Sequence, residues 1–183
     1  MNKMSKISAI TAALLTAAAM PAVAQTAMKM APGSAMAVTT PEFVKMAAQS
    51  DELEIKEGKL AEKVGSPALR KFGMMMVRDH TKTTEGLHAA LKKAGMAVPP
   101  PPAMTAEQQA MAAKLEGLSG KAFDRAYLEQ AVASHKKALA LHEAYDTSGD
   151  SAPIVSAAKE ATPIVREHLQ MAKRLAAGKP GAM

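Results

Sequence analysis

The chain contains no cysteine and no tryptophan, and only three phenylalanines and two tyrosines in 183 residues. Without cysteine there are no disulfides, no thiolate ligands and no thiol chemistry. So few aromatic rings offer little for bases to stack on, and the basic residues are interleaved with acids, so no nucleic-acid partner is expected. Beyond the first two dozen residues no apolar run is long enough to cross a bilayer, and no stretch alternates with the period of a strand. A nucleophile–base pair, a phosphate loop and a dinucleotide fingerprint are all missing, and Gly86 and Gly95 belong to no glycine-rich motif. Nothing in the sequence points to an enzyme.

The first thing present is an address. Lys3 and Lys6 give a positive start, Ile7 to Met20 an apolar run, and Ala22-Val23-Ala24 a small-x-small cleavage pattern. Residues 1–24 therefore read as a secretory signal cleaved after Ala24, with no cysteine following to take a lipid. The expected product is a periplasmic protein, and removing the two lysines lowers its formal charge from +6 to +4. Residues 25–39 read as a loose tail holding Met28, Met30 and Met36, weak soft ligands at most. One bundle domain is expected over 40–178, with a disordered end at 179–183.

Helix punctuation is clear along that domain. Thr40-Pro41 opens a helix that Gly65 ends near Val64, and Ser66-Pro67 opens a second that ends near Gly95. Four prolines, Pro99 to Pro102, make a stiff extended connector. Thr105 and Gln108 form a capping-box pattern for a short helix to about Leu118. A third long helix is expected from about Lys121 to Asp146, then a turn at 147–151. The fourth runs from about Ala152 to Ala177 and is expected to bend at Pro163. This is an all-α chain: a four-helix bundle of two hairpins, joined by a proline-rich crossing with a short extra helix.

Projection at about 100° per residue places ionisable side chains on apolar faces. His80 falls within the arc of Leu69, Met76, Leu87 and Leu91. His135, His142 and Asp124 share the stripe of Leu128, Val132 and Leu139. His168 sits at the centre of Ala157, Ala161, Ile164, Ala172 and Leu175. Glu54 is surrounded by Phe43, Ala47 and Ala61, with Glu57 about a sixth of a turn away, and Asp79 flanks the arc of its helix. Glu54, His80, His135 and His168 all lie near mid-helix, so they converge whichever way the crossing sends the third helix. For the same reason their spacing does not fix the bundle topology.

Buried without partners, such groups cost several kcal/mol each, so they must meet one another, water or an ion. Three imidazoles and a carboxylate suit one borderline ion such as zinc, copper or iron, with Asp79, Asp124, Glu57 and His142 as outer partners orienting the ligands. Asp124, close to a helix start, also has a plain reading as a helix-end charge. A carboxylate-bridged pair of irons would need Glu-x-x-His on two helices, but Val77, Val132 and Val165 stand three residues before these histidines. The only Glu-x-x-His, Glu85 to His88, puts its acid on the solvent face. The alternative to a metal site is a structural or interaction protein of the envelope with an ion-free polar core.

The stretch "FVKMAAQSDELEIKEGKLAEKVGSPALRKFGMMMVRDHTKTTEGLHAALKKAG", continued by "FDRAYLEQAVASHKKALALHEAY" and "ATPIVREHLQMAKRL", resembles a bacterial envelope family known as domain of unknown function 4142. The resemblance spans about Pro41 to Leu175. It implies a ferritin-like four-helix bundle with Glu54, Asp79, His80, Asp124, His135 and His168 at motif positions, and it implies no reaction.

Overall fold

The computed structural model describes residues 38–179. The signal-like segment, Met28, Met30 and Met36 of the tail, and residues 180–183 lie outside the described residues. Five helices follow one another: α1 (Thr40–Val64), α2 (Pro67–Lys93), α3 (Ala106–Glu116), α4 (Gly120–Ser148) and α5 (Ala152–Ala176). No helix among them is long and apolar enough to cross a membrane.

Most boundaries follow the punctuation. The cap of α1 falls one residue earlier than expected, on Thr39, whose N–H donates to the Glu42 carboxylate at 3.0 Å. The Thr105–Gln108 box opens α3 through reciprocal bonds of 2.9 and 3.2 Å. Helix α3 stops at Glu116, short of Leu118, while α4 runs two residues past Asp146. That extension is held by the Thr147 and Ser148 hydroxyls, which donate to the Glu143 and Ala144 carbonyls. Helix α5 is continuous through Pro163. Its buried face is turned from the expected stripe toward Ile154, Ala158, Val165 and Leu169, leaving Ala157, Ile164 and Leu175 half-buried; His168 stays inside.

Side-chain ties fix the direction of each helix. The Ser66 N–H donates to Asp124 at 3.1 Å, so the α1–α2 turn meets the start of α4. At the other end Phe43 stacks on Tyr145, centroids 4.1 Å apart, so the start of α1 meets the end of α4. Helix α4 is therefore antiparallel to α1 and parallel to α2. The four long helices form a ring in the order α1, α2, α5, α4, with antiparallel neighbours. The chain must then travel the length of α2, about 40 Å at 1.5 Å per residue, between the end of α2 and the start of α4. Residues 94–119 make that crossing. Pro99 to Pro102 line a cavity together with Val44, Ala48 and Leu91. Gln49 then donates to the Ala103 carbonyl at 2.8 Å, and Gln108 returns a bond to the Gln49 carbonyl at 3.1 Å. Lys56–Glu116 and Lys137–Glu107 pairs of 2.9 and 2.8 Å hold α3 along α1 and α4. The result is two hairpins joined by one long crossover.

The core has three layers along the bundle axis. Leu69, Phe72, Met76, Phe123, Tyr127 and Ala172 belong to one apolar cluster at the α1–α2 turn. Phe43, Leu87, Leu91, Tyr145 and Ile154 belong to another at the opposite end. Between them lie the buried Asp51, Glu54, Glu57, His80, His135, His142 and His168. Beside this polar layer α1 and α2 approach backbone to backbone. A Cβ on Gly73 would stand 2.6 Å from the Gly58 carbonyl, and one on Gly58 would stand 3.0 Å from the Gly73 carbonyl. Only glycine at both positions allows that spacing, which draws α1 onto α2 where the acids enter.

Candidate metal centre

Three of the four long helices each contribute one imidazole near mid-length: His80 from α2, His135 from α4 and His168 from α5. All three are nearly inaccessible, at 1–2 % exposure. One nitrogen of each ring lies within 4.8 Å of the others. His80 Nε2 and His168 Nδ1 are 3.3 Å apart.

What each outer nitrogen does fixes the proton on each ring. His80 Nδ1 lies 2.8 Å from Asp51 Oδ1, His168 Nε2 lies 3.1 Å from Asp79 Oδ2, and His135 Nδ1 lies 2.8 Å from the Ala131 carbonyl. Carboxylate and carbonyl oxygens only accept, so these three nitrogens carry the hydrogens. That leaves His80 Nε2, His135 Nε2 and His168 Nδ1 as the inner nitrogens. His135 Nε2 is buried without a partner among the described residues. A tetrahedral ion with metal–nitrogen bonds of about 2.0–2.1 Å requires nitrogens about 3.3–3.4 Å apart, the spacing of His80 Nε2 and His168 Nδ1.

The outer acids are themselves held. Asp51 Oδ2 accepts from the Thr83 and Thr84 hydroxyls at 3.0 and 2.8 Å. Asp79 takes two bonds from Arg78, at 2.7 and 2.9 Å. Burial works to raise the Asp79 pKa, but the bonds from Arg78 and His168 outweigh it and hold the carboxyl below its usual range. For the imidazoles burial works the other way. It pushes His168 down to about 4, helped by repulsion from His80 and opposed by Asp79. His135 is pushed well below its ordinary value by burial and by His80 and His168. Both rings are therefore neutral at neutral pH, the form that ligates a metal.

The remaining expected residues are placed differently. Glu54 is not among the converged donors. Its Oε1 lies 3.4 Å from His135 Nδ1, the nitrogen already bound to the Ala131 carbonyl. Helix α1 sits between α2 and α4 in the ring, so its inward face serves both flanks, Asp51 toward His80 and Glu54 toward His135. Glu57 is fully buried one turn further on. Asp124 is not brought to the centre; it caps the α1–α2 turn through Ser66, the helix-end alternative. His142 packs edge-on against Phe43, centroids 5.3 Å apart, and its Nδ1 has no partner among the described residues. Asp51, which orients His80, is absent from the sequence-derived set. Its signal is the spacing Asp51-x-x-Glu54-x-x-Glu57, an acid at every third position of one helix.

The family model for the domain of unknown function DUF4142 matches residues 23–175. The chain belongs to that family. No curated protein and no solved structure matches it significantly.

Proposed function

We propose that this chain is an exported, periplasmic bundle of ferritin-like topology that holds one borderline transition-metal ion, zinc, copper or iron, between His80, His135 and His168. One observation carries the reading: three ring N–H groups are tied outward to Asp51, Asp79 and the Ala131 carbonyl, while one nitrogen of each ring lies within 4.8 Å of the others in a buried layer. Lone pairs 3.3 Å apart repel unless a cation or a proton lies between them. Borderline divalent ions prefer imidazole, and outer acceptors of this kind raise ligand basicity. The single long crossover supports the ferritin-like assignment. Export rests on the lysines, the apolar run and the Ala22-Val23-Ala24 pattern of the sequence.

The competing reading is an ion-free polar network in a structural or interaction protein of the envelope, and the 3.3 Å approach also suits a shared proton. Titration with zinc, alongside denaturant melts of the metal-free protein, separates the two for the wild type and for His80→Leu, His135→Leu and His168→Leu. The metal reading expects one zinc per chain and a loss of affinity beyond the 10–100-fold typical of an outer partner, with metal-free stability unchanged or raised. Absence of binding at micromolar zinc, copper and iron, with each variant less stable by about 1–3 kcal/mol, would overturn it.

A further inference from the structure

The histidine centre is not equally closed on every side. Next to it lies a small cavity of about 20 Å³ walled by all four long helices: Asp51 of α1, Thr83 of α2, His142 of α4, and Ala157 and Ala161 of α5. Such a volume holds one water-sized particle, and three of these walls are polar. The cavity meets the centre through Asp51, whose Oδ1 lies 2.8 Å from His80 Nδ1. Thr83 stands one turn after His80, its hydroxyl 3.0 Å from both Asp51 Oδ2 and the His80 carbonyl. His142 is 8 % exposed, and its Nδ1 has no partner among the described residues. A buried nitrogen in that state requires a water or an ion beside it.

A larger cavity of about 260 Å³ lies between α2 and α5 and shares Thr83, Ala157 and Ala161 with the first. The exposed Lys82 and Glu160 stand on its rim, so it opens to solvent. Gly86 keeps it wide, since a Cβ there would meet nothing within 4 Å. Glycine is a poor residue for the middle of a helix, and here no close backbone approach requires it. Two alanine methyls and the Thr83 side chain are the walls common to the inner and outer spaces. On the α1–α4 side a cavity of about 250 Å³ reaches Ser50 and Leu53, but Thr105, Gln108 and Met111 of the crossing lie across it. It borders none of the buried acids or histidines.

We propose that the α2–α5 seam is the entry path of the histidine centre: a divalent cation enters beside Gly86, passes Thr83 between Ala157 and Ala161, and is relayed by His142 and Asp51 to His80. The inference rests on the metal reading of that centre. Lys82 and Glu160 offset each other at the mouth, so selection falls to the oxygen and imidazole donors inside. His142 thereby has a use that does not place it among the final ligands.

A portal changes how fast an ion moves and not how tightly it is held, so narrowing it slows entry and exit by the same factor. Stopped-flow mixing of metal-free, full-length protein with zinc, followed by a fluorescent zinc indicator, gives uptake; transfer of bound zinc to excess EDTA gives release. Gly86→Leu fills the outer cavity and is expected to slow both about tenfold, with zinc affinity unchanged. Ala157→Leu thickens the shared wall and should act in the same direction. Gly86→Ala alters the helix without filling the cavity, and Ser50→Leu fills the α1–α4 cavity instead; both should keep wild-type rates. Circular dichroism verifies that each variant is folded. Wild-type rates in folded Gly86→Leu and Ala157→Leu, or slowing by Ser50→Leu in their place, would overturn the portal and leave the histidine site standing. Wild-type protein that takes up no zinc at equilibrium would overturn both.

Discussion

Two groups of buried polar side chains share the middle layer of this bundle, one turn of α1 apart, and they are satisfied in opposite ways. Each imidazole of the histidine centre has an outward acceptor for its N–H, and two of those acceptors are themselves anchored, by Thr83 and Thr84 or by Arg78. Glu57 has no partner for either oxygen among the described residues, and Glu54 has only a long contact to His135, at 3.4 Å. The first group is therefore ordered before any ligand arrives, and only its inward lone pairs remain to be met. In the second, burial raises both carboxyls above the usual range. Placing the two side by side shows that burial alone does not make a site; the direction in which each group is satisfied does.

The largest expected effect sets the two groups against each other in pH, in metal-free protein. Glu57, raised to about 7, adds stability that is complete below its unfolded value near 4.5 and is lost as pH rises through 7. His168, lowered to about 4, adds stability that is complete above its unfolded value near 6.5 and is lost as pH falls through 4. Each shift corresponds to about 3 kcal/mol. Denaturant melts from pH 4 to 8 should show Glu57→Gln reducing the loss on the alkaline side and His168→Leu reducing the loss on the acid side, with Glu54 and His135 supplying what remains. If either variant kept the wild-type profile, the two groups would not be the buried neutral species described.

A smaller effect sharpens the role of the outer acids. Asp51→Asn breaks the carboxylate grip on His80 without removing a metal ligand, and should weaken zinc binding about 10–100-fold. Competition against a chromophoric chelator measures it, and an unchanged affinity would make the His80–Asp51 bond structural only. Gly73→Ala tests the helix approach that seats both groups: its Cβ meets the Gly58 carbonyl at 2.6 Å, so α1 must move, at a cost of about 1–3 kcal/mol in thermal or chemical melts. The smallest effect belongs to His88→Leu. His88 is half-buried beside Glu52 and Pro99, away from both groups, and should change stability by less than about 0.5 kcal/mol and zinc affinity not at all.

Much of this layer was legible before any coordinates. A 3.6-residue period places His80, His135 and His168 on apolar faces, and proline and glycine punctuation sets the helices to within a few residues. Asp51 was not legible because it lies in "AQSDE", a polar run that reads as solvent face, and because its partner is 29 residues away. Projection found the buried face of Glu54 but not its neighbour: it gives direction from one axis and does not say which helix in the ring a side chain meets, here His135 of α4 at 3.4 Å. The relative direction of α2 and α4 was hidden because histidines at mid-length meet in either topology; only end-to-end ties such as Ser66–Asp124 and Phe43–Tyr145 decide it.

The central claim is that three imidazole nitrogens converge on one ion. X-ray absorption at the zinc edge of stoichiometrically loaded protein tests it most directly. The account predicts a first shell dominated by nitrogen at about 2.0–2.1 Å with imidazole scattering beyond it, and one histidine fewer in His135→Leu. A first shell of oxygen alone, unchanged in His135→Leu, would contradict it.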